Sequence, residues 1–323
     1  MQIAWVLLPM LAALVCCGVY LALARRWQIL DLPNERSAHT QPTPHGGGVG
    51  LFLGLVVGMA AVSLLGQPWP WLIWQLLLAA AVLVIVGAID DNRGLPVGVR
   101  FSLYTLVSLT VTGLLLWPAR SWLLLPAAIY LLWMMNLFNF MDGIDGIAVS
   151  ETIFVCLAVA ALVTWRGGDA SYALLCLLIA GAALGFLYWN WSPARLFLGD
   201  AGSISLGFLL AALSLQGQVS GAMPLVCWLI LMAVFIADAS GTLLRRALKG
   251  ETVTQAHSSH LYQRLARRWQ SHSRVVWLML VYNIIWLLPL TMVALAWNQW
   301  QWVALIAAYL PLLLAQLKAG KIP

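Results

Sequence analysis

Charged residues are scarce in this chain: they make up 9% of its 323 residues, whereas hydrophobic residues make up 63%. A soluble domain carries about 25% charged residues, so this composition excludes a soluble enzyme. The five cysteines all fall inside apolar runs, which excludes a disulfide framework. No basic segment precedes the first apolar run, so we interpret that run as a membrane span rather than a cleavable signal peptide.

Long apolar runs are what the chain has in abundance. A membrane helix needs about 20 apolar residues. The sequence therefore predicts an all-α polytopic integral membrane protein with about eleven transmembrane helices, or ten, in a single domain over residues 1–323. The predicted spans are roughly 3–24, 47–66, 71–89, 100–117, 121–139, 150–165, 171–190, 201–217, 222–240, 275–296 and 301–317.

The distribution of positive charge predicts the orientation of these spans. With the N-terminus on the periplasmic side, Arg120 and Arg166 are the only ones of the 17 Lys and Arg residues that fall outside, as the positive-inside rule requires. The net charge of +6 then needs no nucleic-acid partner. The predicted cytoplasmic loops lie near 25–46, 90–99, 140–149, 191–200 and 241–274.

Acidic residues are few, and they are unevenly distributed. Of the eleven Asp and Glu residues, only Asp169 lies on the predicted outer side, and all five His lie on the cytoplasmic side. Ionisable groups near membrane spans are costly and usually functional. A transporter tends to place them near the bilayer midplane. Their position at one face favours an enzyme that acts on a cytosolic substrate.

Two acidic motifs stand at predicted helix ends. Asp90 and Asp91 end the third span, and adjacent carboxylates suit a divalent cation or a pair in which one carboxylate raises the basicity of the other. Asp200 opens the eighth span between Gly199 and Gly202, where backbone N–H groups favour an anion such as phosphate. A polar turn in the first case and an N-cap in the second are the alternatives without function.

The fifth span ends in a run of amides and carboxylates. Asn136 and Asn139 are three residues apart and share a helix face. Asp142 and Asp145 are each followed by Gly, and such a tight turn can present both carboxylates to one ligand. A simple turn would need neither the Asn pair nor both acids, so this pattern favours a binding site.

The last predicted loop carries Arg245, Arg246, His257 and His260. Two His three residues apart could bind zinc, but zinc usually takes three or four ligands, and no Cys is nearby. Hydrogen bonding to phosphate is favoured, with simple membrane anchoring as the alternative for the arginines. The glycine run after His45 lacks the Lys and Ser or Thr of a phosphate loop, so residues 33–48 are predicted to form an ordered loop.

Residues 260–270 predict a short basic amphipathic helix. Leu261, Leu265 and Trp269 recur every four residues and form one apolar stripe, with three arginines beside it. Such a helix can lie in the bilayer interface near a lipid head group, or its stripe can pack against protein. The sequence leaves both open.

The four motifs occur in a characteristic order: Asp90-Asp91, the Asn and Asp run over 136–146, the Gly-Asp-x-Gly-Ser run over 199–203, and the His-containing last loop. In this order they resemble the bacterial polyprenyl-phosphate N-acetylhexosamine-1-phosphate transferases of glycosyltransferase family 4, relatives of phospho-N-acetylmuramoyl-pentapeptide transferase. The resemblance extends from about Asn34 to Arg264. It implies transfer of sugar 1-phosphate from a cytosolic UDP-N-acetylaminosugar to undecaprenyl phosphate at the inner membrane, with release of UMP.

The resemblance also implies roles for individual residues. Asp90, Asp91 and Asp200 would be catalytic, with Asp90 assisting the lipid phosphate and with Asp200 and Asp91 near Mg²⁺, for which Mn²⁺ could substitute. Phe197 would stack on uracil. The other implied substrate-binding residues are Asn136, Asn139, Asp142, Asp145, Arg245, Arg246, His257 and His260. A route through an aspartyl-phosphate intermediate is the alternative mechanism.

One departure narrows the expected substrate. The pentapeptide transferases carry three consecutive His in the last loop, whereas this chain has His257 and His260 separated by two Ser. This difference favours the branch that initiates O-antigen or related surface polysaccharides, and the sugar stays open among N-acetylglucosamine, N-acetylgalactosamine, N-acetylfucosamine and N-acetylquinovosamine. A homodimer is compatible with the resemblance. A transporter and a non-catalytic lipid-binding relative remain the competing classes.

Overall fold

The computed structural model describes residues 2–31, 41–252 and 258–319. Two short strands, β1 (Leu30–Asp31) and β2 (Thr43–Pro44), pair antiparallel. The helices are α1 (Gln2–Arg26), α2 (Gly48–Leu64), α3 (Trp71–Arg93), α4 (Val97–Leu116), α5 (Leu124–Met141), α6 (Ile147–Trp165), α7 (Ala170–Asn190), α8 (Gly199–Ser220), α9 (Leu225–Leu231), α10 (Ala233–Leu248), α11 (Leu261–Trp269), α12 (His272–Tyr282), α13 (Leu288–Ala296) and α14 (Gln301–Ala319). A π-helical turn (Asn283–Leu287) joins α12 to α13.

The predicted all-α polytopic membrane fold is confirmed. Among the described residues, nine helices are long and apolar enough to cross a membrane, counting α12 with α13 as one span. The bent α9–α10 pair brings the number to ten if it forms one span. The second predicted span is the 17-residue helix α2, which is near the lower limit for crossing a bilayer.

The ninth predicted span, 222–240, is not one straight helix. Helices α9 and α10 are bent by 74° around Met232. A hydropathy window measures composition, so it cannot detect a bend between two apolar helices. The bend lets α10 bury Asp238 and Thr242 among protein groups instead of exposing them to lipid, where unsatisfied polar groups are costly.

One predicted cytoplasmic loop, 241–274, is largely helical in its described residues. The region 241–274 contains the end of α10, all of α11 and the start of α12.

Helix α6 begins at Ile147, so Glu151 lies inside the bundle and is fully buried. Its Oε2 accepts a hydrogen bond from Asn283 Nδ2 at 2.6 Å. Glu151, in the second turn of α6, therefore has a buried partner of its own.

Helix α8 is the centre of the bundle, packed against α2, α3, α4 and α5. It is rich in small residues, which let neighbouring backbones approach closely. A Cβ at Gly207 would overlap the carbonyl of Met134 in α5, and a Cβ at Gly48 in α2 would overlap Gly202. This packing brings the ends of α3 and α5 against the start of α8, which is the end of the bundle where the candidate site lies.

Candidate active site

Asp91, at the end of α3, caps the start of α8. Its Oδ1 accepts a hydrogen bond from the backbone N–H of Asp200 at 2.9 Å, and its Oδ2 accepts one from Ala201 at 3.3 Å. The first N–H groups of a helix have no partner within it, and negative charge is favourable there. Asp91 therefore holds Asp200 next to Asp90, across about 110 residues of sequence. We refer to Asp90, Asp91 and Asp200 as the acid cluster.

Glycines permit α3 and the start of α8 to approach each other closely at the acid cluster. Gly87 faces α8 so closely that a Cβ there would overlap the backbone of Asp200 and Ala201. Gly199 has a φ of +72°, which favours glycine, and a Cβ there would lie 2.8 Å from the backbone nitrogen of Gly46. The positions of α3 and α8 at the acid cluster thus depend on residues without side chains.

Arg100 joins two members of the acid cluster and was missed by the sequence analysis. It lies in the first turn of α4, and its Nη1 donates to Asp90 Oδ2 at 2.6 Å and to Asp200 Oδ2 at 3.5 Å. The other oxygen of Asp90 accepts the backbone N–H of Leu95 at 2.6 Å. The short turn between α3 and α4 was the available signal, because it forces the start of α4 back beside the end of α3.

Asn139 binds Asp200 from the other side. Its Nδ2 donates to Asp200 Oδ1 at 2.6 Å and to Ser203 Oγ at 3.2 Å. Asn136, the other amide of the predicted pair, instead donates to Leu132 O within its own helix. The structure therefore brings Asn139 to the acid cluster and gives Asn136 a local partner.

The two Asp-Gly carboxylates have different surroundings. Burial raises the pKa of Asp142 well above its usual range, and the nearby carboxylates of Asp200 and Asp91 add to this shift. Burial also acts to raise the pKa of Asp145, but His272, whose Nδ1 lies 3.1 Å from Oδ2, and hydrogen bonds from residues 192 and 194 lower it overall. Asp142 thus belongs electrostatically with the acid cluster, whereas Asp145 has partners in α12 and in the loop before α8.

The loop before α8 pairs with the segment before α2. Phe197 N donates to Pro44 O at 2.8 Å, and Gly47 N donates to Phe197 O at 2.9 Å. This pairing places the partly buried Phe197 beside His45, whose Nδ1 lies 3.8 Å from Asp91 Oδ1. Hydrogen bonding to Asp91 raises the pKa of His45, although burial acts to lower it. The sequence analysis assigned no role to His45, which lies inside the predicted loop 33–48.

The two predicted phosphate-binding arginines bind parts of the chain near the end of α10. Arg245 donates to the backbone oxygens of Gln316 at 3.2 Å and Ser259 at 3.1 Å. Arg246 lies 3.5 Å from Glu251 and donates to the backbone oxygen of residue 252 at 3.0 Å. Within the described ranges, no hydrogen bond joins either arginine to the acid cluster.

His260 precedes α11 and is 2% exposed. Its ring stacks on Phe140, with 6.3 Å between ring centroids, and on Tyr262 at 5.7 Å. His260 therefore lies against the residue that follows Asn139. The predicted His257 lies outside the described residues.

The predicted amphipathic helix forms as α11. Its buried residues are Tyr262 and Ala266, and Leu265 and Trp269 are partly buried against the core. Part of the predicted apolar stripe therefore packs against protein, the alternative that the sequence had left open.

The donor chemistry of the acid cluster fits a magnesium ion carried with a substrate. Among the described residues, no group of three or more His, Cys, Asp or Glu side chains forms a complete metal site. Mg²⁺ is commonly held by one or two carboxylates together with substrate phosphates and water. The Asp200 side chain is 25% exposed, compared with 7% for Asp90 and 8% for Asp91. Asp200 is therefore better placed than Asp91 to bind a cation that arrives with a diphosphate.

Comparisons with known proteins relate this chain to a family of transferases. The model of the family described as Glycosyl transferase family 4 matches residues 73–218, which include the whole acid cluster. The chain is similar to the "probable undecaprenyl-phosphate N-acetylglucosaminyl 1-phosphate transferase" of Bacillus subtilis (strain 168), with 26% identity over 97% of this chain and 90% of that protein.

Two further proteins to which this chain is similar are also named as transferases. The decaprenyl-phosphate N-acetylglucosaminephosphotransferase of Mycobacterium tuberculosis (strain ATCC 25618 / H37Rv) is 31% identical over 79% of this chain and 73% of that protein. The phospho-N-acetylmuramoyl-pentapeptide-transferase of Synechococcus sp. (strain JA-3-3Ab) is 29% identical over 91% of both chains. These similarities extend well beyond the segment that the family model matches.

Proposed function

The chain belongs to glycosyl transferase family 4, and we propose that it transfers an N-acetylaminosugar 1-phosphate from a UDP-sugar to undecaprenyl phosphate, releasing UMP. The names of the relatives support a phosphosugar donor and a polyprenyl-phosphate acceptor. The observation that carries the proposal is Asp200, a partly exposed carboxylate held at the start of α8 by Asp91, Asn139 and Arg100.

The proposed reaction exchanges one phosphoanhydride bond for another. An oxygen of the lipid phosphate attacks the β-phosphorus of the UDP-sugar and forms the new P–O bond. The bond between that phosphorus and the oxygen bridging to the α-phosphorus breaks, and UMP leaves with its electron pair. The nucleophile needs little activation, because a phosphate monoester with a second pKa near 6 is mostly ionised at pH 7. The residues of the site therefore act mainly by positioning the phosphates and balancing their charge.

Asp200 and Arg100 supply this charge balance. Asp200 would hold Mg²⁺, or Mn²⁺ in its place, and the cation would neutralise charge on the donor diphosphate. Arg100 already contacts Asp90 and Asp200 through one nitrogen, so an incoming phosphate offers it a further anionic partner. As Arg100 turns to that phosphate, an oxygen of Asp90 becomes available to accept a proton from a protonated lipid phosphate.

The nucleotide would lie on the side of Asn139 and Phe197. Phe197 is fixed through its backbone to Pro44 and Gly47, which leaves its partly buried ring at the edge of the site. We assign this ring to stacking on uracil. Both N–H groups of Asn139 are used by Asp200 and Ser203, so its Oδ1 would accept a hydrogen bond from the UDP-sugar. Asp142 would bind the UDP-sugar as well, and His45 would donate a hydrogen bond to a phosphate.

We assign the acid cluster to the cytoplasmic face of a bacterial inner membrane. Every Lys and Arg except Arg120 and Arg166 falls on that side in the proposed topology. The separated His257 and His260 support initiation of O-antigen or a related surface polysaccharide over a muramoyl-pentapeptide donor. N-acetylglucosamine is the first sugar to test, because it occurs in the names of two relatives.

A panel assay tests the proposal. The purified protein is incubated with undecaprenyl phosphate, MgCl₂ and UDP-sugars radiolabelled in the sugar, including UDP-N-acetylglucosamine and UDP-N-acetylmuramoyl-pentapeptide. The expected result is label in the lipid extract and an equal amount of UMP with an N-acetylaminosugar donor. A transporter would give neither product, and turnover with the pentapeptide donor alone would correct the assigned substrate.

A further inference from the structure

Asp238 is a buried carboxylate that has no place in the reaction proposed above. It lies in the second turn of α10 and is 5% exposed. Its Oδ1 accepts the backbone N–H of Leu261 at 2.9 Å, and its Oδ2 accepts that of Tyr262 at 2.9 Å. Gln316 Nε2 at 2.8 Å and Thr242 Oγ1 at 3.2 Å also donate to Oδ1. Donors from α10, α11 and α14 therefore converge on one side chain.

The contacts with Leu261 and Tyr262 form a helix cap that comes from another helix. Both residues belong to the first turn of α11, where backbone N–H groups have no partner within the helix. Helix α11 has only nine residues, and isolated helices of this length are marginal in water. Its place in the fold therefore depends on external contacts. Asp238 supplies a contact of this kind, and the dipole of α11 favours its negative charge at the start of the helix.

Helix α11 also contacts the segment that holds Asp200. The hydroxyl of Tyr262 donates to Phe140 O at 2.9 Å. A Cβ at Gly143 would overlap the same hydroxyl, and the ring of His260 stacks on that of Phe140. Phe140 directly follows Asn139, which donates to Asp200. A continuous set of contacts thus leads from α10 through α11 to the acid cluster.

We propose that Asp238 is a positioning residue: by capping α11, it holds His260 and Tyr262 against the segment 139–143 and so sets the geometry around Asn139. Gln316 extends this role to α14, because its Nε2 donates to Asp238 while its Oε1 accepts from Arg245 at 3.2 Å. Asp238 itself contacts no substrate. The consequence for activity rests on the proposed function, whereas the placement of α11 does not.

Hydrogen exchange tests the placement of α11 without any assay of activity. Asp238→Asn keeps the volume of the side chain but replaces one acceptor oxygen with an NH₂ group. Peptides covering residues 258–266 should then exchange about 2- to 30-fold faster, the range that loss of a helix cap produces. The matched control, Thr242→Val, removes a donor to the same carboxylate and a 3.4 Å acceptor for Arg245 but keeps both backbone contacts, so its exchange should stay within about twofold of wild type. Unchanged exchange in Asp238→Asn would overturn the proposal.

Gln316→Glu provides a second variant in case Asp238→Asn does not fold. It keeps an acceptor oxygen for Arg245, but it replaces the N–H donor that faces Asp238 with a second carboxylate oxygen. Faster exchange of the same peptides is expected again. Wild-type exchange in this variant would show that α14 does not support the cap.

A double-mutant cycle tests whether Asp238 acts through His260. kcat/KM is measured for Asp238→Asn, His260→Ala and the double variant, since residues that act through one contact show non-additive losses. The double variant should keep the same kcat/KM as the less active of the two single variants. Losses that multiply, or full activity of His260→Ala, would contradict positioning through His260. An inactive wild-type protein would refute the proposed function and leave the exchange result standing.

Discussion

Asp91 and Asp238 both cap a helix from a distant part of the sequence, yet their surroundings differ. Asp91 caps α8 at an open end of the bundle, where Asp200 keeps 25% of its side chain exposed. Asp238 caps α11 inside a closed contact of three helices, where Tyr262, whose backbone N–H donates to it, is 4% exposed. The two capping carboxylates themselves are similarly buried, with 8% of the Asp91 side chain and 7% of the Asp238 side chain exposed. The same kind of cap can therefore leave a neighbouring carboxylate exposed or hold a helix in a closed contact. The exposure of the residue next to the cap distinguishes the two cases.

Removing the exposed carboxylate should have the largest effect. Asp200→Asn keeps the volume and removes the charge that would hold a cation, so kcat should fall at least about 10³-fold, the upper range for loss of one electrostatic contact in an active site. Asp169→Asn is the matched control, because Asp169 caps α7 at the opposite end of the bundle through Ser171 and Tyr172. It should keep near wild-type turnover. Similar losses in both variants would mean that the effect is structural.

Arg100 should have the next largest effect. Arg100→Met removes the cation between Asp90 and Asp200, and kcat/KM for undecaprenyl phosphate should fall about 100-fold. Arg100→Lys keeps the charge but not the planar donor geometry, so it should recover only part of the activity. Steady-state kinetics with varied lipid phosphate measures both variants. Equal activity of all three proteins would remove Arg100 from the site.

Phe197 should affect binding more than turnover. Loss of a base-stacking ring costs about 1–3 kcal/mol, so Phe197→Ala should raise KM for the UDP-sugar roughly 5- to 150-fold while kcat changes little. Phe197→Tyr keeps the ring and should behave like wild type. A normal KM for Phe197→Ala would place the uracil elsewhere.

Glu151 should show the smallest effect on activity, because it is buried away from the acid cluster. Glu151→Gln keeps a hydrogen bond with Asn283 and should leave kcat within about twofold of wild type. Glu151→Leu leaves Asn283 without that partner and should destabilise the protein by about 1–3 kcal/mol, the usual cost of an unsatisfied buried polar group. Thermal unfolding and turnover of both variants check this. A large loss of turnover in Glu151→Gln would show a direct role.

The helices could be predicted because their signals are local: long apolar runs give the spans, and Asp90, Asp91 and Asp200 stand at span ends. That Asp200 would meet Asp90 and Asp91 was implied only by the family resemblance. Arg100 was missed because a single arginine at the start of a span looks like a membrane anchor. The bend at Met232 and the burial of Glu151 depend on packing between distant helices, which hydropathy does not report.

The phosphorus that moves provides the most direct test of the central claim. The UDP-sugar selected by the panel assay is prepared with ³²P in the β-position and incubated with undecaprenyl phosphate and MgCl₂. The account predicts labelled lipid and an equal amount of unlabelled UMP with the wild-type protein, and neither product with Asp200→Asn. Label that stays in water-soluble products, or equal labelling of the lipid by Asp200→Asn, would contradict phosphosugar transfer at the acid cluster.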